Sequence, residues 1–370
     1  MLKQGTPKGI LFPYSGESFG GSYVSSLLLV KALQKAGYDV TIGLHSEGVL
    51  TEYLDQVGLS LKKLPSIETY SGFVRLQTNL VSLTRFLKDN HIRIVHTNDR
   101  RMHSAWVLAA RLGGANHVWH QRNSMTSRKG NLQASLSSSI ISVSNYCKNS
   151  LHPWNQRKSV VISNPVECEA DPDHVVKARA ELLGGSALPH TKIIGFFASW
   201  EKRKRPGFFV EIAGRLSATR DRPLIFALFG EPRAEMKDAV VSKIESLGLQ
   251  GSVRLIGQKI PVEPWIAACD FVVAPALHEG MGRVLVEAMQ LRSVVVASAD
   301  GGHLEIVEHA RTGVLFPPED PDACVRQIRY LLDHEHEYLK MVDSAERYSR
   351  KMFSVERHAN AIIRVYESLW

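Results

Sequence analysis

Cysteine is scarce and scattered. The 370-residue chain has four, Cys147, Cys168, Cys269 and Cys324, with no C-x-x-C pair. Neither a disulfide framework nor a zinc knuckle is expected, and free thiols suit a reducing cytoplasm. No apolar run reaches the ~18 residues of a membrane span. The N-terminal stretch lacks the apolar centre of a signal peptide; Ile10-Leu11-Phe12 reads as a first strand instead. There is no G-x-x-x-x-G-K-[ST] run, which argues against a P-loop kinase. An Asp-x-Asp pair, Asp171-Pro172-Asp173, falls in a probable linker, and no constellation suggests a metal site or a Ser-His-Asp arrangement. Aromatics are 8% of residues and are not interleaved with the basic ones. With no helix-turn-helix or zinc-finger pattern, a nucleic-acid partner is not expected. Low-complexity tracts and internal repeats are missing too.

What is present fits a soluble two-domain protein. Apolar residues make up 44% and charged residues 22%, ordinary for a globular chain, and the length suits two domains. The charge is lopsided. Residues 1–165 hold 19 Lys and Arg against 8 Asp and Glu, a net of +11, whereas the whole chain is +8 and the remainder therefore −3. Such asymmetry points either to an anionic partner or simply to a solvated surface.

Short apolar runs alternate with helical patterns in both halves. Strands are expected at Lys8–Pro13, Asp39–Leu44, Arg93–His96, His117–His120, Ser139–Val143 and Ser159–Ile162. They recur at Ile193–Ala198, Leu224–Phe229, Val253–Ile256, Phe271–Ala274, Val294–Ala297 and Val314–Phe316. Helices are expected over Gly20–Ala36 and Met102–Leu112, and over Tyr70–Asn90, where Phe73, Leu76, Leu80, Leu83 and Leu87 share a face. This rhythm predicts two doubly wound α/β domains, each a parallel sheet covered on both faces. The expected division is 1–165, 166–350 and a C-terminal helix, 351–370, packing back on the first domain. A break is expected within residues 163–191.

The most informative stretch runs from Pro275 to Gly313. Glu279 precedes a Gly280-Met281-Gly282 turn, and Glu287 lies eight residues on, inside an apolar helical run, Val284–Gln290. A strand and a Gly301-Gly302 turn follow. Glycine lets a backbone approach a ligand closely, and a helix N-terminus offers unpaired N–H groups to phosphate. Two carboxylates flanking such a site are placed to hold hydroxyls on either side of a diphosphate. On one continuous helix, spacing eight would put them ~80° apart, which alone says little; the glycine turn and the apolar neighbours of Glu287 argue against two solvated charges.

At HEGMGRVLVEAM and ADGGHLEIVEHARTGVLF the chain resembles a retaining glycosyltransferase of family 4. The resemblance covers nearly the full length and extends to Gly20-Gly21 before the first helix, SNPVE at Ser163–Glu167, and KRPGFFVEIA at Lys204–Ala213. It implies a GT-B fold, two Rossmann-like domains facing each other across a cleft. It also implies roles. The Gly20-Gly21 backbone would meet the diphosphate and sugar of the donor, and Lys204 would neutralise charge on the leaving diphosphate. Glu279 would accept bonds from donor-sugar hydroxyls, and the amides of Gly280, Met281, Gly282, Arg283 and Val284 would meet sugar and phosphate. Glu287 would take the ribose hydroxyls. His120 would stand beside the reacting sugar, with His96, His117 and His278 as competing histidines. The family commonly has an arginine where Ser199 stands here, so Arg203 or Arg205 would supply the second cation. His303 and Glu305 would shape the loop near the diphosphate.

The activity so implied is transfer of a sugar from a nucleotide-diphosphate sugar, UDP- or GDP-linked, without a metal or other cofactor. The acceptor is a glycan or an anionic glycolipid, such as lipopolysaccharide core. The basic first domain fits a cytoplasmic protein with peripheral contact at the inner face of an anionic membrane. A nucleotide-sugar epimerase of the same architecture is the alternative.

Overall fold

The computed structural model describes residues 9–16, 20–67, 73–184, 190–218 and 223–370. The chain forms two compact units, Met1–Pro165 with Val355–Trp370, and Val166–Ser354.

The first unit is built on a seven-stranded parallel sheet. Its strands are β1 (Gly9–Tyr14), β2 (Val40–Leu44), β3 (Leu61–Lys63), β4 (Ile92–Thr97), β5 (Asn116–Gln121), β6 (Ser139–Ser142) and β7 (Ser159–Val161). Their spatial order is β3-β2-β1-β4-β5-β6-β7. Every residue of β1 is buried, as a strand covered on both faces requires. Alternation divides it: Ile10, Phe12 and Tyr14 join one apolar cluster and Leu11 another. Helix Gly21–Lys35 covers the first face together with Ala359, Ile362 and Tyr366 of helix Val355–Glu367. Helix Arg100–Gly113 covers the second face through Met102, Trp106 and Ala109, with Leu83 and Leu87 of helix Phe73–Asp89. Residues 70–72 and the side chains of Phe73 and Leu76 lie outside the described residues.

The second unit has six parallel strands, β8 (Lys192–Phe197), β9 (Leu224–Phe229), β10 (Val253–Gly257), β11 (Phe271–Ala274), β12 (Val294–Ser298) and β13 (Val314–Phe316), in the order β10-β9-β8-β11-β12-β13. Its large core gathers Ile194 and Phe196 of β8, Phe226 and Leu228 of β9, and Val273 of β11 against Phe209, Val210 and Ile212 of helix Pro206–Ser217 and Cys324 and Ile328 of helix Pro321–Asp333. Both sheets reverse their winding once, between β1 and β4 and between β8 and β11. In open α/β sheets, ligands bind outside the carboxyl ends of the strands at such switch points.

Three expectations need correction. The interval 163–191 is not an unbroken linker, because Pro172–Leu183 forms a helix. Asp171 caps it, accepting from the amides of Asp173 and His174, so the Asp-x-Asp pair is a helix start. The closing helix begins at Val355, not at 351; Lys351 and Met352 end the preceding helix, Glu335–Met352. The short, exposed edge strand β3 is an addition. Among the described residues no helix is long and apolar enough to cross a membrane.

Candidate functional site

Two polar centres form, one at the carboxyl ends of the strands in each unit. In the second unit the chain leaves β8 through Ala198–Glu201, makes a 3₁₀ turn at Lys202–Lys204, and enters the next helix at Pro206. The chain leaves β11 through Pro275–Gly282 and enters helix Arg283–Gln290. A bond from the Leu277 amide to the Arg203 carbonyl, 2.8 Å, ties these segments together. Their side chains then meet. Lys204 Nζ and Arg203 Nη1 both donate to Oε2 of Glu279, the latter at 2.9 Å. Glu279 is enclosed, its side chain 13% exposed. Burial pushes its carboxyl pKa up, but the Lys204 and Arg203 charges outweigh burial and hold it below the ordinary range. The cluster is therefore an ionised carboxylate under two cations.

The glycines have structural reasons. Gly282 starts the helix in the left-handed region at φ +83, and a Cβ there would lie 2.7 Å from the His303 ring. Gly301, at φ +57, would place a Cβ 2.6 Å from the Glu279 carbonyl, and Gly302 is pressed on the Gly280 carbonyl. The amide of Gly302 donates to the Glu279 carbonyl at 2.8 Å. The second glycine turn thus braces the first. His303 is buried and donates through Nδ1 to the Ser298 carbonyl at 3.1 Å; burial lowers its pKa, against the pull of Glu279. It shares a small cavity with Lys204, Glu279 and Val284, whereas Glu305 is exposed. Met281 sends its side chain into the core, leaving only its backbone to meet a ligand.

Glu287 lies one turn after Arg283, and Arg283 Nε donates to Glu287 Oε1 at 2.5 Å. Both side chains are largely enclosed, at 16% and 15% exposure. This pairing was not foreseen: Arg283 was expected to contribute its amide. Arg205 departs from expectation in the other direction. It takes a left-handed conformation at φ +58, stacks on Phe208 at 4.0 Å, and donates to the Pro318 carbonyl at 2.6 Å and to Glu319 at 3.1 Å. The cation beside Lys204 is Arg203, not Arg205. Ser199 donates to Glu201, which also binds Arg203 and Arg233.

In the first unit, Gly20 caps helix Gly21–Lys35 at φ −173, a conformation any residue adopts, and among the described residues no atom lies within 4 Å of a Cβ built there. His120 lies near the carboxyl end of β5. Alternation along β5 turns Trp119 and Gln121 toward a polar cavity at the strand ends, and it turns Val118, with His120, toward the face covered by helix Val355–Glu367. His120 is fully buried. Its Nδ1 meets His96 Nε2 at 3.0 Å, and His96 Nδ1 meets the Tyr366 hydroxyl at 2.6 Å. Among the described residues, its Nε2 has no hydrogen-bond partner. His117 is also buried, bonded to Thr97, and His278 is an exposed loop residue.

The cavity beside β5 holds residues missed in the sequence. Asn98 and Asp99 follow β4 and Arg122 follows β5. Arg122 donates through Nη2 to Asn98 Oδ1 at 2.7 Å and through Nη1 to Asn164 Oδ1. Their positions directly after adjacent strands, at the carboxyl edge, were the available signal. Among the described residues no group of three or more metal-ligating side chains forms.

Comparison with known proteins agrees with this architecture. Residues 185–352 match the family Glycosyl transferases group 1, and residues 19–170 match Glycosyltransferase Family 4. A lipopolysaccharide core biosynthesis mannosyltransferase, LpcC of Rhizobium leguminosarum bv. viciae, is 26% identical over 53% of this chain and 56% of its own. A UDP-Gal:alpha-D-GlcNAc-diphosphoundecaprenol alpha-1,3-galactosyltransferase of Escherichia coli is 23% identical over 83% of this chain and 84% of its own. For LpcC and several similar relatives, the matched region is about half the relative's length. Among solved structures, Anabaena HepE in complex with UDP and glucose superposes with a TM-score of 0.83 at 20% identity, over 98% of this chain and 100% of that one. A glycosyltransferase from Rickettsia africae superposes at 0.84 with 18% identity, over 98% of each. The two family matches fall on the two halves of the chain in turn, and the superpositions show the GT-B fold.

Proposed function

We propose that the protein is a retaining glycosyltransferase that moves a sugar, a hexose by preference, from a nucleotide-diphosphate sugar to a hydroxyl of a glycan or anionic glycolipid. One observation carries this reading: Lys204, Arg203 and Glu279 meet at the β8/β11 switch point, immediately before a glycine-started helix that bears Glu287. The helix N-terminus and the two cations suit a diphosphate. Glu279, whose Oε2 takes both cations, offers Oε1 to sugar hydroxyls, and Glu287 offers Oε2 to the ribose. As the glycosidic C–O bond breaks, its electron pair goes to the leaving phosphate oxygen, where Lys204 and Arg203 stabilise it. That oxygen takes the acceptor proton as the acceptor oxygen bonds the anomeric carbon on the same face. No metal is required in this scheme.

UDP is the favoured nucleotide, supported by HepE having been solved with UDP and with UDP-glucose; GDP is the other candidate. The mannosyl transfer to lipopolysaccharide core named for LpcC supports a cell-envelope acceptor. The net charge of +11 over residues 1–165 supports a cytoplasmic enzyme in peripheral contact with an anionic membrane.

A thermal-shift panel of UDP, GDP, ADP and CMP tests the reading. One diphosphate is expected to raise the melting temperature of the wild type and not of Glu287→Ala, because a ligand that binds only the folded state stabilises it. No response to any nucleotide at millimolar concentration would defeat it. A second outcome concerns Arg283, which orients Glu287 by holding one carboxylate oxygen. Arg283→Met is expected to raise the donor KM about tenfold, in line with losing one charge-assisted hydrogen bond, with kcat little changed. An equal fall in kcat with unchanged KM would show that Arg283 acts in the transition state instead.

A further inference from the structure

The positive charge of the first unit is concentrated in one stretch of chain. From Arg100 to Pro165 the sequence has nine Lys and Arg and no Asp or Glu, a net of +9, whereas residues 1–99 hold ten Lys and Arg against eight Asp and Glu, a net of +2. A surface charged only for solubility mixes both signs, so the missing carboxylates call for another reason. This stretch contains helices Arg100–Gly113, Arg128–Ser135 and Pro153–Arg157. Strands β4, β5, β6 and β7 lie side by side in chain order and run parallel. Right-handed crossovers therefore lay all three helices on one face of the sheet.

The outer side of that helical layer also carries apolar side chains. Leu108 and Leu112 stand one turn apart and exposed on the first helix, Leu132 is 65% exposed on the second, and Trp154 is 60% exposed on the third. Polar bonds hold the three helices edge to edge. Ser104, one turn before Leu108, donates to Gln133 Oε1 at 3.0 Å. The His152 amide donates to Asn131 Oδ1 at 2.7 Å, and the Asn155 side chain donates to the Asn131 carbonyl at 2.8 Å. Each apolar site has an exposed cation one turn away: Arg111 follows Leu108 by three residues, Arg128 and Lys129 precede Leu132 by four and three, and Arg157 follows Trp154 by three. At these spacings the side chains are neighbours on a helix surface.

Cations alone would suit any polyanion, but the leucines narrow the choice. Nucleic acid is held by charge and by stacking on aromatic rings, and exposed leucines add nothing to either. At a bilayer they leave water for the acyl boundary while cations beside them meet lipid phosphates, and tryptophan favours the same boundary. A twofold pairing of this face with a second copy would set like charges against each other. We infer that this helical layer is the surface by which the protein lies on an anionic bilayer, with Leu132 and Trp154 entering the headgroup boundary. The inference rests on the reading of an enzyme in peripheral contact with a membrane and deepens it by assigning that contact to one face of the first unit.

Co-sedimentation of the whole chain with vesicles tests it, using phosphatidylcholine alone or in equal parts with phosphatidylglycerol. Wild type is expected to bind the mixed vesicles only, and to be released in ~1 M salt, where the Debye length falls to about 3 Å. Arg128→Ser/Lys129→Ser is expected to weaken binding about tenfold or more, because each basic residue near such a surface contributes roughly fivefold. Leu132→Ser/Trp154→Ser, which leaves the charge unchanged, should weaken it about tenfold, since binding scales with the apolar area buried. Lys31→Ser/Lys35→Ser removes two exposed cations from helix Gly21–Lys35, on the opposite face of the sheet, and should bind like wild type. Equal weakening by that pair would overturn the inference, because net charge alone would then explain the binding. So would a Leu132/Trp154 pair that binds like wild type, or a wild type indifferent to the mixed vesicles. Tighter binding to single- or double-stranded DNA than to the mixed vesicles would give the face to nucleic acid and remove the lipid assignment. Stabilisation by UDP, read as melting temperature, should be unchanged in every variant. Its absence from wild type would defeat the glycosyl-transfer reading instead, and vesicle binding would still decide the face.

Discussion

Lys204→Met is expected to lower glycosyl transfer by about 10²- to 10³-fold, the usual cost of removing one preorganised electrostatic contact to a developing charge. The fold should survive the change. Lys204 and Arg203 converge on the same Glu279 oxygen, so removing the lysine leaves the carboxylate under Arg203 at 2.9 Å. The penalty should therefore fall well short of the ~3–5 kcal/mol that follows when a buried charge loses its only partner. Arg203 is 39% exposed, so solvent screening tempers the remaining pair as well. A shift in melting temperature of under about 5 °C is expected. Glu279→Ala makes a poorer test, because it leaves two cations facing each other and confounds stability with chemistry. Steady-state kinetics with a saturating donor, beside a melting curve, separate the effects. Turnover within a few-fold of wild type would remove Lys204 from the mechanism. A collapse in stability would make it a structural residue.

The parts of this fold legible in the sequence are those where burial on both faces leaves an uninterrupted apolar run between breakers. Phe271–Ala274, Leu224–Phe229 and Val314–Phe316 have the expected limits, and other strands differ by a residue or two. Strand β3 was invisible because Leu61-Lys62-Lys63 is three residues long with two exposed lysines. Helix Glu335–Met352 buries only Met341, Val342, Ala345 and Ser349 among eighteen residues, too narrow a stripe to stand out. At the site, motif spacing located Glu279, Glu287 and Lys204, but spacing carries no direction. Arg203 and Arg205 flank the same lysine, and only the left-handed turn at Arg205 sends its guanidinium to Glu319. Period-two alternation puts His120 on the same face as Val118, away from the side of Gln121, and that much is legible in the sequence. Asn98 and Arg122 belong to no run of familiar spacing, and their pairing across two strand ends emerges only from the parallel register of β4 and β5.

The histidines buried by that alternation predict how the protein responds to acid. The first unit encloses His96, His103, His117, His120 and His358, and largely encloses His45. Burial pushes the pKa of His117 and His358 down to about 3 and that of His45 down to about 4, and it holds the other three well below the ordinary value. Nearby Arg122 adds to the depression at His96, His120 and His358. These rings are neutral in the folded state, whereas in the unfolded chain each titrates near its ordinary pKa of ~6.5. Below that value the unfolded state binds more protons, so stability is full above about pH 6.5 and falls with acid until the folded pKa is reached. Each such histidine removes roughly 1 to 2 kcal/mol per pH unit in that window. For His45, His117 and His358 together, the loss between pH 6.5 and pH 5 is about 6 kcal/mol, against a typical total of ~5–15 kcal/mol. Carboxylates contribute little there, because they titrate lower. Unfolding is therefore expected near pH 5, with an uptake of about three or more protons per chain. Denaturant melts at half-unit pH steps measure that slope. A stability that stays flat from pH 7 to pH 5 would mean that the rings reach solvent or hold a proton in the native state, and the neutral hydrogen-bonded chain from Tyr366 through His96 to His120 would be wrong.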